Sequence, residues 1–349
     1  MVVADSRPDG AVAVEAGDAP ARGASTSGRR GTSRVVVIGR RLLLAFGTVW
    51  AVSVLVFVAM EAVPVDPALS ALGRDSTPEQ RAAFRVRMGL DDPAPQRYAR
   101  WAAGLVRGDF GNSVISNKPV APELGQRLTL TLLLGSLSLA ASIAVGLPLA
   151  TWAAQRRNSG GDVAASVGAI AITSVPEFVL AIVVLLLGAS QLRLMPVTSG
   201  SIVDGDARAL VLPTVSLALA ATAYIFRLAR VSIVEALSAA YVRTAILNGY
   251  SSRRILWRHV LPNASAVIVN VIALNAIFLM SGVLVIENVY AYPGIGTLLV
   301  QAIVSKDLPT IEAVAVVTSA LLVTINLGAD ALVYALSPRL RTAGRSGRA

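Results

Sequence analysis

The chain has no cysteine, which excludes disulfides, thiolate metal sites and thiol redox chemistry. Its one histidine, His259, excludes a multi-histidine metal cage. Lysine occurs only as Lys118, in Asn-Lys-Pro, and Lys306, in Ser-Lys-Asp. A phosphate-binding loop needs Gly-Lys-Ser/Thr, because lysine and backbone amides together neutralise the phosphates. Neither lysine fits, so ATP hydrolysis by that route is excluded. There is no His-Glu-x-x-His string and no nucleophile–base pair around His259. Charge is scarce as well: 15% of the 349 residues are charged, against about 25% in a soluble domain.

What is present is apolar. Hydrophobic residues make up 54% of the chain and mean hydropathy is +0.65, which describes an integral membrane protein. The net charge of +10 is carried almost wholly by arginine. In a membrane chain that excess marks cytoplasmic loops rather than nucleic-acid binding.

A helix needs about 20 apolar residues to cross the hydrocarbon. Six stretches meet this: residues 42–63, 128–154, 163–190, 210–226, 264–286 and 312–336. The expected fold is an all-α membrane domain over 35–341, with a disordered tail at 1–34 and a short tail at 342–349. Arg40 and Arg41 precede the first span, Arg156 and Arg157 follow the second, Arg227 and Arg230 close the fourth, and Arg339, Arg341, Arg345 and Arg348 follow the sixth. The external candidates Arg193 and Arg208 are offset by Asp204 and Asp206, and Lys306 by Asp307. Both termini are therefore expected in the cytoplasm.

The long segment 64–126 is too polar to cross and is expected outside. Thr77-Pro78-Glu79 reads as a capped helix start that Gly89 ends. A second helix over 95–107 places Tyr98, Trp101 and Leu105 on one face, suited to the membrane interface.

Residues 235–263 interrupt two apolar runs with Arg243, Arg253, Arg254 and Arg258, and contain no acid after Glu235. The pattern predicts a helix over 236–248 and a break at Gly249, where positive φ is wanted. A second helix, capped by Ser251 or Ser252, then runs to about His259 and is stopped by Pro262. A solvated loop explains the charge but not a helix–Gly–helix unit; a docking surface for a soluble partner explains both.

The spacing Arg243-Thr244-Ala245, Gly249, His259, Leu261-Pro262 resembles the EAA loop of ABC-importer permeases. That pattern runs Glu-Ala-Ala, three residues, Gly, nine residues, Ile, one residue, Leu-Pro. Here Arg243, Thr244 and His259 replace Glu, Ala and Ile. The strings at 240–249 and 258–263, the Pro-Val-Asp-Pro at 64–67, Leu105–Val114, Met195–Gly200 and Glu287–Thr297 resemble the dipeptide/oligopeptide/nickel branch, over about residues 40–341. The resemblance implies a permease that binds no cofactor itself. Its implied partners are a homologous second permease, two cytoplasmic ABC ATPases carrying ATP and Mg, an external substrate-binding lipoprotein, and membrane lipid. Dipeptides, oligopeptides, nickel chelates, glutathione and some oligosaccharides all fit the family. An ion-coupled carrier would instead need internal repeats, and none is evident.

Polar residues inside spans are costly unless paired or wet. Glu177, beside Pro176, either lines a cavity at a local helix break or is paired there. Asn270 and Asn275 serve as interhelical hydrogen-bond groups or line a path. Asp330 is expected to pair within the bundle, with Asn326 nearby. Residues 287–311 are read as an external loop, and the Pro293-Gly294 turn in its Glu287–Thr297 string packs that end. As a gate, its Glu287 would pair with an arginine of the delivery protein or of the partner permease.

Overall fold

A computed structural model describes residues 34–62, 67–73, 75–191 and 195–336. The readings at 1–33, 64–66, Arg193, Arg339, Arg341, Arg345, Arg348 and 342–349 lie outside them. The described chain is helical: α1 (Arg34–Ala62), α2 (Pro67–Leu72), α3 (Pro78–Met88), α4 (Ala94–Val106), α5 (Val120–Gln155), α6 (Gly160–Ser174), α7 (Glu177–Leu185), α8 (Val211–Leu237), α9 (Ala240–Leu247), α10 (Ser252–Ile255), α11 (Leu261–Val289), α12 (Ile295–Ser305) and α13 (Leu308–Leu336). Five helical stretches are long and apolar enough to span a membrane: Gly39–Ala62, Val120–Gln155, Ala207–Leu237, Ser252–Val289 and Leu308–Val333.

The sixth crossing is broken. α6 and α7 meet at 104°, where the sequence suggested one span over 163–190. Val175 (φ −94°, ψ 132°) and Pro176 (φ −56°, ψ 140°) are both extended, because a proline ring drives the residue before it out of the helical region. The pair still traverses the bundle. Asp162 at the start of α6 meets Arg230 near the end of α8, whereas Ala189, in the π-helical turn after α7, packs in one cluster with Leu212 at the start of α8.

Packing follows side-chain size. Ser138, Ser142, Gly146 and Ala150 recur every four residues along α5 and are buried, facing Ala218, Ala221 and Ala229 of α8. A Cβ on Gly146 would lie 3.1 Å from Ile225 Cγ2 and 3.3 Å from the Thr222 carbonyl. Lipid gives helices no hydrophobic reason to associate, so close backbone approach through small residues supplies the contact instead. Ser142 Oγ, 3.3 Å from the Ala218 carbonyl, adds a bond across this seam.

At the edge of the bundle α1 exposes Leu42, Leu43, Phe46 and Trp50. Arg41 pairs with Asp330 of α13 at 2.9 Å. α4 packs its aromatic face on α1. Tyr98 meets Phe57 edge-on and Trp101 lies tilted against it, with ring centroids 5.4 and 6.0 Å from it, and Arg97 pairs with Glu61. The α3 caps match the sequence: Thr77 and Gln80 form a reciprocal capping box, and Gly89 ends the helix at φ 62°.

Asp162 is the buried charge with most at stake. Its side chain is 1% exposed and takes both Nε and Nη2 of Arg230, at 2.5 and 2.6 Å. Arg230→Gln leaves that carboxylate only the Asn158 N–H, at 2.9 Å, and removing one partner of a buried pair costs about 3–5 kcal/mol. The thermal unfolding midpoint in detergent should fall clearly for Arg230→Gln and recover partly when Asp162→Asn is added; an unchanged midpoint would show that the pair contributes nothing.

Candidate functional site

The loop between α8 and α11 is built on a buried back. Ala239 is extended (φ −70°, ψ 151°), which turns the chain out of α8 and into α9. Val242 and Ala245 of α9 are buried in a core shared with Ile255, Leu256 and Val260, with Ala229 and Ile233 of α8, and with Ala150, Ala153 and Ala154 of α5. The outward face carries Arg243 and Thr244, exposed, beside Ile246 and Leu247, the latter 87% exposed.

Gly249 closes α9 at φ +77°. Its N–H donates to the Ile246 carbonyl at 2.9 Å, and the Tyr250 N–H donates to the Ala245 carbonyl at 3.2 Å. That bond pair is the left-handed helix ending that satisfies the last orphan carbonyls. No atom lies within 4 Å of where a Cβ would sit, so the demand for glycine is conformational and not spatial. Beyond it Tyr250 organises the turn: the Arg254 guanidinium lies 4.5 Å from its ring centroid, and the His259 ring stacks parallel at 5.9 Å. Arg243, Arg253, Arg254 and Arg258 have no ion-pair partner among the described residues.

Three details depart from the sequence reading. One helix was expected over 236–248, but α8 runs on to Leu237 and α9 starts at Ala240, because the extended Ala239 breaks the chain between them. Ser251 is extended, but no side chain caps the helix that follows. Pro262 does not stop that helix. α10, a π-helical turn at Leu256–Val260 and α11 form one continuous stretch, Ser252–Val289. Pro262 lies in the first turn of α11, just after the π turn, where the wider ring already removes the regular i→i−4 bond that proline cannot make. Leu261 beside it is half-buried.

At the opposite end Glu287 is fully buried, on the last turn of α11 rather than in a loop. The Thr131 hydroxyl of α5 donates to its Oε1 at 2.5 Å, and the Gly296 N–H donates to its Oε2 at 2.6 Å. Thr131 Oγ1 also accepts the Ile295 N–H at 2.9 Å. Gly294, the residue before α12, offers no side-chain cap, and the Glu287 carboxyl takes over that work. A Cβ on Gly294 would overlap the carboxyl, and one on Gly296 would lie 2.6 Å from the Leu284 carbonyl. The sequence-level pairing of Glu287 with an arginine on another protein is therefore corrected: its oxygens are already engaged within the chain, because the glycines let α12 fold back over it. Residues 295–305, placed in an external loop by pattern, form α12 for the same reason. Pro293 is half-buried beside this turn.

The remaining polar residues divide. Asn275 is buried and donates to the Ala221 carbonyl at 3.0 Å, an interhelical bond. Asn270 is exposed on the same face of α11 as Val267, Leu274 and Phe278. Glu177 opens α7 with its carboxylate against Gly282 of α11. The structure does not bring Glu177, Asn270 and Glu287 together.

Sequence reasoning missed Asp162, Thr131 and Asp307. Asp307 accepts from Ser113 Oγ at 2.6 Å, Val114 N at 3.0 Å and Thr310 Oγ1 at 2.7 Å, which pins the Leu105–Val114 string to the start of α13. No local pattern announces a partner nearly 200 residues away.

Helices that span lipid, a packed cationic knuckle at one end and a folded-back turn at the other define a multi-pass membrane transport subunit. The sequence pattern of binding-protein-dependent transport system inner membrane components matches residues 146–342, and that of their N-terminal segment matches residues 34–135. The chain is 35% identical over 310 residues to a probable peptide ABC transporter permease protein of Sinorhizobium fredii, covering 88% of this chain and 99% of that one. It is 33% identical over 303 residues to the glutathione transport system permease protein of Escherichia coli, covering 86% and 97%. An inward-facing structure of the MetNI methionine ABC transporter shares the fold, with a TM-score of 0.52 at 19% identity over 61% of this chain and 96% of that one. The chain belongs to the family of binding-protein-dependent transport system inner membrane components, and is a multi-pass inner-membrane permease subunit of an ABC importer.

Glu287→Ala should cost about 1–3 kcal/mol, the penalty for leaving buried polar partners unsatisfied. Glu287→Gln, which keeps one acceptor, should cost less, and Gly294→Ala should cost at least as much as Glu287→Ala. Protease sensitivity of the 290–300 turn, read beside the thermal midpoint, orders the three; equal behaviour of all three would refute the carboxyl's role as the cap of α12.

Proposed function

We propose that this permease pairs with a second, homologous permease and takes its force from two cytoplasmic ATPases through the α9–α10 knuckle. The supporting observation is the combination at that knuckle of a buried back, a positive-φ lock at Gly249, and an outward face of exposed Ile246 and Leu247 among unpaired arginines. An apolar patch ringed by cations suits a cleft with acidic rims. The arginines supply charge-assisted bonds there, and Leu247 supplies the apolar anchor. Arg243, Arg253, Arg254 and Arg258 are the cations assigned to this surface, Ala245 and His259 hold it to the bundle, and Leu261 and Pro262 join it to α11.

Motion then follows from connectivity. The second half of the knuckle continues into α11 as a helical stretch of 38 residues, about 57 Å long at 1.5 Å per residue. A push at Tyr250 or Arg254 is carried along this stretch to the Glu287 turn at the other end. Closure of the ATPases on ATP and Mg rocks the two permeases between inward-open and outward-open states. ATP achieves this only insofar as the closed ATPase pair favours one arrangement. This chain binds neither ATP nor Mg. An external binding protein delivers the solute, and the peptide and glutathione relatives point to short peptides as its class. The exposed face of α11 with Asn270, and Glu177 beside Gly282, are the polar groups assigned to the path, while Glu287, Pro293 and Gly294 shape its external end.

Gly249→Val forces a β-branched residue into left-handed backbone, at about 1–3 kcal/mol. With the partner subunits in proteoliposomes, ATP-driven peptide uptake should fall at least about tenfold for Gly249→Val, the factor that 1.4 kcal/mol represents. It should be largely kept by Gly249→Asn, which tolerates the same backbone. Leu247→Glu should lose uptake while leaving membrane insertion intact. Wild-type uptake for both Gly249→Val and Leu247→Glu would remove the knuckle from the mechanism.

A further inference from the structure

A groove of about 730 Å³ opens sideways between the end of α5 and the start of the Ser252–Val289 stretch. The two walls are antiparallel, and each shows the same order of side chains toward the knuckle. On α5 the order is Leu147, Trp152, Arg156; on the facing helix it is Ile268, Trp257, Arg253. Aliphatic, then tryptophan, then arginine is the polarity profile of a bilayer leaflet from hydrocarbon through interface to headgroup. The two helices are distant in sequence, and in each the tryptophan lies four residues, about 6 Å, from the arginine on the apolar side.

The groove is unoccupied by the chain itself. Trp152 is 37% exposed and Trp257 64% exposed, large apolar surfaces that the chain's own packing leaves uncovered. No acidic residue lines the groove. The Arg156 guanidinium lies 5.3 Å from the Trp152 ring centroid, which holds its charge at the groove rim. Neither Arg156 nor Arg253 has an ion-pair partner among the described residues. From Arg253 to Ile268 the wall runs about 22 Å at 1.5 Å per residue, enough for a headgroup and most of one acyl chain.

We propose that this groove binds an anionic glycerophospholipid, with its phosphate between Arg156 and Arg253 and one acyl chain between Leu147 and Ile268. Charge complementarity selects the headgroup: two unpaired arginines and no acid favour net negative over zwitterionic lipid. The tryptophans hold the glycerol level. A lipid seated there bridges α5 to the helix that carries the knuckle, so its occupancy regulates how firmly the knuckle is held to the bundle. The groove shares Arg253 with the surface assigned above to the ATPases, whereas Ile246 and Leu247 lie outside its lining.

The test is lipid retention by the full-length chain, read by native mass spectrometry after purification from mixed phosphatidylglycerol and phosphatidylcholine. Wild type should retain phosphatidylglycerol with a preference of about thirtyfold, the expectation for two arginines at an anionic headgroup. Arg156→Gln with Arg253→Gln should abolish the preference, and Arg156→Lys with Arg253→Lys should keep part of it, which separates lost charge from lost folding. Arg227→Gln, outside the groove, should behave as wild type. Equal retention of the two lipids, retention unaffected by the double glutamine variant, or displacement of the lipid by millimolar inorganic phosphate would each overturn the proposal. So would a photo-crosslinker at position 152 that captures a second permease in native membranes instead of lipid.

Discussion

Lipid offers no hydrogen-bond partner to a backbone amide or a charge, and the rest of this structure depends on that constraint. It explains why α5 and α8 approach through serine, glycine and alanine rather than through large side chains. It explains why Ser142 and Asn275 spend their polar atoms on carbonyls of α8, and why Asp162 is held by two guanidinium nitrogens. A break in a span is tolerated under the same rule where neighbouring helices cover it. The α6–α7 elbow at Pro176 sits against α8 and α11, with Glu177 at the N-terminus of α7, where a helix dipole favours an acid.

The two ends of the bundle solve different problems with related chemistry. At the knuckle, solvent is available, so arginines stay unpaired and the fold relies on a buried strip of Val242, Ala245, Ile255 and Val260 beneath them. At the opposite end a helix begins without a side-chain cap of its own, and a buried carboxyl from the preceding helix serves it. Gly249 and Gly294 are both constrained by geometry but for opposite reasons. Gly249 is free in space and constrained in φ, whereas Gly294 is ordinary in φ and confined in space. The continuous helix between these ends makes them one mechanical unit.

Much of this was legible in the sequence where the cause is local. The Thr77–Gln80 capping box, the ends at Gly89 and Gly249, and the Asp330 partnership expected from a charge in a span all follow from short-range spacing or from the cost of a bare charge. The helices run beyond the spans read from hydropathy, into polar residues that hydropathy does not count: α5 begins at Val120 and α8 runs to Leu237. Pro262 was read as a stop, since sequence rules assume a regular α-helix before it and the π turn is invisible to them.

By itself the sequence determined that this chain lives in a membrane, that four arginines stand in a helix–glycine–helix knuckle between two apolar runs, and that neither lysine sits in a Gly-Lys-Ser/Thr phosphate loop. Those facts reside in composition and in spacings of a few residues. Only the tertiary structure decided that Asp162 meets Arg230, that Asp307 anchors Ser113, that Glu287 is sealed beneath Gly294 and Gly296, and that two tryptophan–arginine walls face one groove. Each of these joins residues far apart in the chain, and which distant groups meet is chosen by how whole helices pack.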